Sequence, residues 1–483
     1  MTEHPLDLIF HPRAVALVGV PSNGAAGGPG WGFLTSLLDQ KFQERHPLYP
    51  VNPKMTEVEG LTCYPSLLDT PDPVDHVISL VPASAAPALV EQVLQKHVRS
   101  VHFYTAGFSE TGDPALAQVE AAMVAKLRAA GVRVIGPNSL GLYVPEAGLA
   151  FMNGFPREPG NVMVVSQSGA NAGDVIFNLA RRGVRFSKGI SFGNGIDLRS
   201  YDFFNYAAED DQTEVVTAYI EGVQDGRRFF EAVKHCAAVK PVILLKGGLS
   251  SVGARAARSH TGSLAGSIQV FDAMCRQAGA MRAENMEELH DLVIAVNTSV
   301  RHVRGTGIAV VGIGGGYGVL ASDAIALEGL DVPELSEATQ EELREFAVPG
   351  TSVNNPVDTF VRAPADLERM IRAVGRSEVI DAAFVNPTFG QPTGTLPREE
   401  VERRAAEAAR QSAELLARVQ EETGTAMVAV TRDRGAPGPG GEEFLLEAYR
   451  RGVAVYPSVA RAARAIARIR DWRAQREGLP DIF

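Results

Sequence analysis

The sequence predicts an α/β protein made of three doubly wound domains, and three observations carry that prediction. Short apolar, β-branched runs recur along the chain, each followed by a Gly/Pro/Ser turn and an amphipathic segment. The runs are continuous rather than alternating, as parallel strands covered on both faces require. Two stretches, Val144–Gly160 (Gly/Pro-rich) and Thr298–Gly307 (polar), each precede a fresh strand and divide the pattern in three. The expected domains are therefore 1–145, 155–297 and 305–470.

In the first span, a strand over Arg13–Val20 leads into a turn holding Gly19, Gly24, Gly27 and Gly28, then a helix over Gly32–Asp39. Glycines at a strand-to-helix turn let backbone N–H groups approach a phosphate at the helix N-terminus. The spacing is not GxGxxG, so no dinucleotide is specified. A second strand ends in Tyr49-Pro-Val-Asn-Pro-Lys54, where the Lys54 ammonium can neutralise a phosphate. The strands His76–Val81 and Ser100–Tyr104 end in Leu80-Val-Pro-Ala83 and Tyr104-Thr-Ala-Gly107, and a strand over Val132–Ile135 follows. Helices over Glu91–His97 and Ala117–Ala130 lie between them. Four strand ends on one sheet edge mark where open α/β folds bind ligands, although each alone reads equally as a plain turn.

The second span has strands over Asn161–Val165, Val215–Ile220 and Val242–Lys246, with a helix over Phe229–Ala238. Ser166-Gln-Ser-Gly-Ala170 follows the first strand and opens a helix, which suits either a phosphate cradle or an ordinary N-cap. Glu221 ends the second strand. A carboxylate there can accept Nδ1–H from a histidine and aim its Nε2, or it can be a surface acid in a turn. After the third strand comes a Gly-rich connector, Gly247–Arg258, and then Ser259-His-Thr-Gly-Ser-Leu-Ala-Gly-Ser267. A neutral imidazole is a nucleophile toward phosphorus. His260 has small neighbours that leave its ring accessible, with Arg255 and Arg258 close in sequence; a lone histidine is otherwise a core or surface residue. The third span has strands over Ile308–Ile313, Ala382–Val385 and Ala426–Val430, and a loop over Arg432–Glu442.

Composition excludes several classes. The 483 residues include 46 Lys+Arg against 57 Asp+Glu, a net charge of −11, which argues against a nucleic-acid binder or a polybasic membrane protein. Cys63, Cys236 and Cys275 stand alone, so neither a disulfide framework nor a thiolate zinc site is expected. The ten histidines show no HExxH-type spacing, and no metal site is expected. The N-terminus lacks an apolar signal-peptide core, and no apolar run reaches the roughly 18–20 residues of a membrane span. The expectation is a soluble, cytoplasmic protein.

Several segments together then point to a family: FHPRAVALVGV (10–20), YPVNPK (49–54), VIGPNSLGL (134–142), VVSQSGA (164–170), SFGNGIDL (191–198), YIEGVQDGRRF (219–229), KPVILLKGG (240–248), SHTGSLAGS (259–267), GGGYGVLASDA (314–324) and NNPVD (354–358). Across nearly its whole length the chain resembles the NDP-forming acyl-CoA synthetases, the ADP- or GDP-forming acid–CoA ligases related to succinyl-CoA synthetase. SHTG-x-LAGS following YIEG-x-x-DG is the most specific part. The sequence departs from the usual family pattern in the long first loop (GVPSNGAAGGPG), in PNSLGLY with Ser139 and Tyr143, and in NAGD after SQSGA.

The resemblance implies a Rossmann-like CoA-binding domain followed by two flavodoxin-like domains. It implies CoA contacts at Gly19, Val20, Pro21, Ser22, Asn52, Pro53, Lys54, Val81, Pro82, Ala83, Thr105, Ala106 and Gly107. His260 would be phosphorylated and Glu221 would orient it. Ser166, Gln167, Ser168, Gly169 and Ala170, with Thr261 and Gly262, would hold the phosphoryl group, and Asn138 would border the acid site. Neither an ATP-grasp domain nor a P-loop GxxxxGK[ST] is recognisable, so Mg-nucleotide (ATP or GTP) is expected mainly on an ATP-grasp β subunit, in an αβ or α2β2 assembly. The implied reaction makes acyl-CoA from a carboxylic acid, CoA and NTP, reversibly, through an acyl phosphate and a phosphohistidine. The alternatives are a CoA-binding regulatory or scaffold protein and an acyl-CoA enzyme of altered chemistry; the presence of both His260 and Glu221 favours the ligase.

Overall fold

The structure is a computed structural model that describes every residue except 1–3, 22–28, 251, 254, 256–266, 313, 359–363, 388–396, 432–437 and 477–481. The expected loop over Arg432–Glu442 lies largely outside the described residues. The fold is mixed α/β with parallel sheets, as the strand-and-helix alternation predicts.

The first sheet contains β1 (Val15–Val18), β2 (Leu48–Val51), β5 (His76–Ser79), β6 (Ser100–Phe103) and β7 (Arg133–Ile135), while β3 (Glu57–Val58) and β4 (Leu61–Thr62) form a separate hairpin. Its order is β2-β1-β5-β6-β7, all parallel, with Val15 in register with both Leu48 and His76. The chain leaves β1 toward β2 and returns to the other side at β5, so the topological switch point lies between the C-terminal ends of β1 and β5. Ala16, Val18, Val77, Val101 and Val134 bury one face beneath Leu89, Val90 and Val93 of one helix and Met123 and Leu127 of another. These helices, Ala86–Gln95 and Pro114–Ala129, start earlier than their apolar periodicity suggests. Pro87 and Pro114 occupy the first turn of each, where no N–H is required; Asp113 caps the second helix by accepting from the Ala115 N–H at 2.8 Å.

The second sheet is ordered β13-β12-β11-β9-β10-β8, from β8 (Gly141–Tyr143), β9 (Pro159–Ser166), β10 (Phe186–Ser191), β11 (Val215–Ile220), β12 (Val242–Lys246) and β13 (Met281–Ala283). All pairs are parallel except β8, which runs antiparallel to β10. Sequence analysis missed β10 because Lys188 and Gly189 interrupt its apolar pattern. Lys188 is nevertheless 1 % exposed; its ammonium reaches Asp210 at 2.7 Å and stands 5.4 Å from the Tyr206 ring centre. Short β13 was missed because Arg282 lies at its centre.

The third sheet runs β14 (Ile308–Val311), β15 (Ala382–Val385), β16 (Ala426–Val430) and β17 (Ala454–Tyr456), all parallel. Its core includes Ala309, Val311, Ala383, Val385, Met427 and Ala429 under Ile371, Val374, Leu416 and Val419. The chain forms two compact units: residues 1–180 with 185–284, which hold the first two sheets, and 181–184 with 285–483, which hold the third.

Candidate active site

In the second sheet β9 lies between β10 on one side and β11 on the other, and the chain passes from β9 to β10 before crossing to β11. The crevice at this switch point lies between the ends of β9 and β11, which are Ser166 and Ile220. The helix Gly169–Arg181 starts at that point. Its first-turn N–H groups have no acceptor within the helix, and its dipole favours an anion there. Ala170 is exposed and Gly169 half-buried.

The other residues of this turn act mainly within the protein. Ser166 Oγ donates to the Ser168 carbonyl at 2.6 Å and accepts the Ser168 N–H at 3.2 Å, which fixes the turn. The Gln167 N–H donates to Tyr219 O at 3.0 Å, and its Oε1 accepts from Glu221 N at 2.9 Å and Gly222 N at 3.1 Å. Gln167 therefore clamps the backbone of Glu221 to the end of β9. Ser168 Oγ faces the N–H of Asn171 at 3.4 Å.

Glu221 is 5 % exposed. Lys246, at the end of β12, donates to the Glu221 carbonyl at 2.6 Å and also to that of Gly247. Burial pulls the Lys246 ammonium below its ordinary pKa, while nearby Glu221 opposes that shift. The segment toward His260 leaves β12 at Gly247, beside Glu221: a Cβ on Gly247 would lie 3.4 Å from Glu221 Cγ. His260, Thr261 and Gly262 lie outside the described residues.

On the first sheet, Gly19 has φ +93°, and a Cβ there would stand 3.0 Å from Val81 N and 3.1 Å from Leu80 C, so only glycine fits this close approach of β1 to β5. The Asn52 amide donates to Val20 O at 2.6 Å and its Oδ1 accepts the Lys54 N–H at 2.8 Å. Thr105 Oγ1 donates to Val81 O. Glu110 accepts from the N–H groups of Gly107 and Phe108. The structure thus brings Gly19, Val20, Asn52, Lys54, Val81 and Thr105 to one edge. Pro21, Pro53, Pro82, Ala83, Ala106 and Gly107 flank them, with Pro53, Lys54, Pro82 and Ala106 exposed. Ser22 lies outside the described residues.

Residues 136–140 connect this edge to the helix N-terminus. Asn138 has φ +55° and donates its N–H to Thr105 O at 3.0 Å. The Ser139 carbonyl accepts from His102 Nε2 at 2.9 Å, which places the imidazole proton on Nε2. Burial holds the His102 pKa down to about 4. Leu140 rests on the helix start, since a Cβ on Gly169 would fall 2.6 Å from Leu140 Cγ. Sequence reasoning gave no role to Gly193 and Asn194, within SFGNGIDL. A Cβ on Gly193 would lie 2.3 Å from the carbonyl oxygens of Pro137 and Asn138. Asn194 N–H donates to Pro137 O at 3.0 Å, and its amide donates to Glu110 at 2.8 Å. The two glycines of that motif were the available signal.

Among the described residues there is no cluster of three His, Cys, Asp or Glu able to hold a metal ion, and no helix long and apolar enough to cross a membrane.

Residues 13–145 match a CoA binding domain, and residues 159–296 a succinyl-CoA ligase like flavodoxin domain. The chain is 32% identical to the Pyrococcus furiosus protein called acetate–CoA ligase [ADP-forming] I subunit alpha, over 97% of each. It is 36% identical to acetate–CoA ligase [ADP-forming] I of Archaeoglobus fulgidus over 78% of this chain and 54% of that one. It thus spans about half the length of some curated relatives it matches, and nearly all of others. An acetyl-coenzyme A synthetase 1 of Ca. Korarchaeum cryptofilum, solved with phosphate and ADP, superimposes with TM-score 0.77 at 29% identity, covering 98% of both chains.

Proposed function

The chain belongs to the family of ADP-forming acyl-CoA ligases, and from that premise we propose that it is the α component of such a ligase, interconverting acid, CoA and NTP with acyl-CoA, NDP and phosphate. One observation carries the reading. Asn138 is bonded to Thr105 on the edge proposed for CoA, while Leu140 packs on Gly169 at the proposed phosphate cradle. A thioester group and a phosphoryl group held at these two places fall within one compact unit.

The chemistry follows from that placement. A CoA thiolate attacks the carbonyl carbon of an acyl phosphate; the C–O bond to phosphate breaks and inorganic phosphate leaves. The other half-reaction supplies that acyl phosphate: a carboxylate oxygen of the acid attacks the phosphorus of phosphorylated His260 and the P–N bond to Nε2 breaks; in the reverse direction His260 Nε2 attacks phosphorus, the P–O bond to the carboxylate breaks and the acid leaves. Glu221 accepts Nδ1–H of His260 and favours the tautomer with a nucleophilic Nε2. The N–H groups of Gly169 and Ala170, with Thr261 and Gly262, hold the phosphoryl oxygens. Ser166, Ser168 and Gln167 shape that turn, and Asn138 borders the acid. CoA lies along Gly19–Ser22, Asn52–Lys54, Val81–Ala83 and Thr105–Gly107.

The division into domains 1–145, 155–297 and 305–470 belongs to the same proposal. So do an ATP-grasp β partner carrying Mg-ATP or Mg-GTP, an αβ or α2β2 assembly and a cytoplasmic location. The test is labelling with γ-labelled ATP and GTP, with and without a co-expressed ATP-grasp chain. Acid-labile, base-stable label that requires the partner and disappears in His260→Asn is expected. CoA binding without label under any condition would replace the ligase reading by that of a CoA-binding scaffold.

A further inference from the structure

We propose that Glu110 and Asn194 are positioning residues for the CoA edge, clipping the segment Thr105–Gly107 to the loop Gly136–Asn138 so that the thioester end of CoA meets the acyl group. The inference rests on the placement of CoA and acid given above and assigns roles to two residues outside it.

Four hydrogen-bonded links close a ring. The Asn138 N–H donates to Thr105 O at 3.0 Å. Two residues on from Thr105, the Gly107 N–H donates to Glu110 Oε1, which also accepts the Phe108 N–H at 3.2 Å. The Asn194 amide donates to the other carboxylate oxygen, Oε2, at 2.8 Å. The Asn194 backbone N–H donates to Pro137 O at 3.0 Å, and Pro137 adjoins Asn138. Ala106, exposed, is thereby held on both sides. All members lie in one compact unit.

Packing alone does not account for the arrangement. Asn194 is 6 % exposed and gives its second amide hydrogen to Oε1 of Glu120, itself 4 % exposed, at 3.3 Å. Its own Oδ1 is buried without a partner among the described residues. Neither Glu110 nor Glu120 forms an ion pair with a cation among the described residues. Apolar side chains would fill the space without an unpaired buried oxygen, and departures of this kind concentrate at functional sites. Burial works to raise the Glu110 pKa, yet the Gly107 N–H, the Asn194 amide and the Phe108 N–H hold it below the ordinary carboxylate range. Both oxygens therefore act as acceptors. In Glu110→Gln one of them becomes an NH2 group, which meets a donor whichever way it turns. The ring then opens on the CoA side, while the Asn194 N–H still holds Pro137.

The experiment labels the full chain by two routes. From acetyl-CoA and labelled inorganic phosphate, a phosphate oxygen attacks the thioester carbonyl, the C–S bond breaks and CoA leaves; His260 then takes the phosphoryl group. From acetyl phosphate labelled at phosphorus, His260 takes the group directly and acetate leaves, with no use of CoA. Glu110→Gln is expected to label from acetyl-CoA about ten- to a hundredfold more slowly, the loss that a broken charge-assisted hydrogen bond and a small misplacement bring. Its CoA affinity in calorimetric titration falls about tenfold. Its rate from acetyl phosphate stays at the wild-type level. Asn194→Ala shows the same split, and the double variant loses less than the product of the two, because both act through one bond. Equal losses by the two routes, or none by either, overturn the positioning role, and so does a double variant whose losses multiply. A wild type that binds CoA but takes label by neither route overturns the functional reading; unchanged CoA affinity in Glu110→Gln then overturns the clip as well, and a tenfold loss upholds it. A wild type that neither binds CoA nor takes label overturns both.

Discussion

Gly193→Ala tests the junction on which the proposed site depends. Gly193 has φ +56°, and an added Cβ would sit 2.3 Å from two carbonyl oxygens, those of Pro137 and Asn138. The left-handed conformation costs an ordinary residue about 1–2 kcal/mol. Overpacking costs a further 1–3 kcal/mol or so, toward the upper end here because the obstructing atoms are backbone rather than a flexible side chain. The expected loss is about 3–5 kcal/mol. Gly112→Ala is the internal control: it has φ +78° but no atom within 4 Å of the added Cβ, so it carries the backbone cost alone. For a unit of this size, 1 kcal/mol corresponds to roughly 2 °C, so Gly193→Ala should melt roughly 6–10 °C below wild type. Differential scanning calorimetry of both variants reads the difference directly. Equal melting temperatures for Gly193→Ala and Gly112→Ala would refute the close approach of these two loops.

Three further predictions follow from other parts of the molecule. Gly19→Ala, whose Cβ would press on the Val81 backbone just after β5 at 3.0 Å, should weaken CoA binding about tenfold in calorimetric titration; unchanged affinity would move CoA away from this turn. Lys188→Met leaves the carboxylate of Asp210, 11 % exposed, without its cation and should cost about 3 kcal/mol in melting experiments, whereas a loss below about 1 kcal/mol would show the pair to be dispensable. His76 and His102 are held neutral by burial, with pKa values lowered to about 3 and about 4. Both lie below the ordinary 6.5, so the unfolded chain takes up protons first; stability is complete above pH 6.5 and falls as the pH drops toward 4, by up to about 1.4 kcal/mol per pH unit for each group. A flat stability profile between pH 6.5 and 4.5 would contradict the burial of these rings.

The strands that sequence reading located are those whose residues are apolar throughout, such as Val215–Ile220 and Val242–Lys246, because burial on both faces leaves no other choice. Strand Phe186–Ser191 was illegible because its charge is neutralised by Asp210, a residue beyond the strand that only the fold brings near. The same limit applies to the site. Ser166–Ala170 and Glu221 were visible as strand-end residues, since a motif is local. That Gln167 clamps Glu221, that Leu140 rests on Gly169, and that Gly193 is wedged against Asn138 are contacts between distant segments, and no spacing encodes them. Glycines in SFGNG and KGG signalled close approach without naming what approached.

The most direct test of the account is to map the label. The chain alone, given acetyl-CoA and labelled phosphate, is digested under alkaline conditions and sequenced by mass spectrometry. The account predicts one phosphorylated peptide, modified at His260, with acetate and CoA released in step with the label and no label in Glu221→Gln. Label on another residue, or release of CoA with no phosphoenzyme, would contradict it.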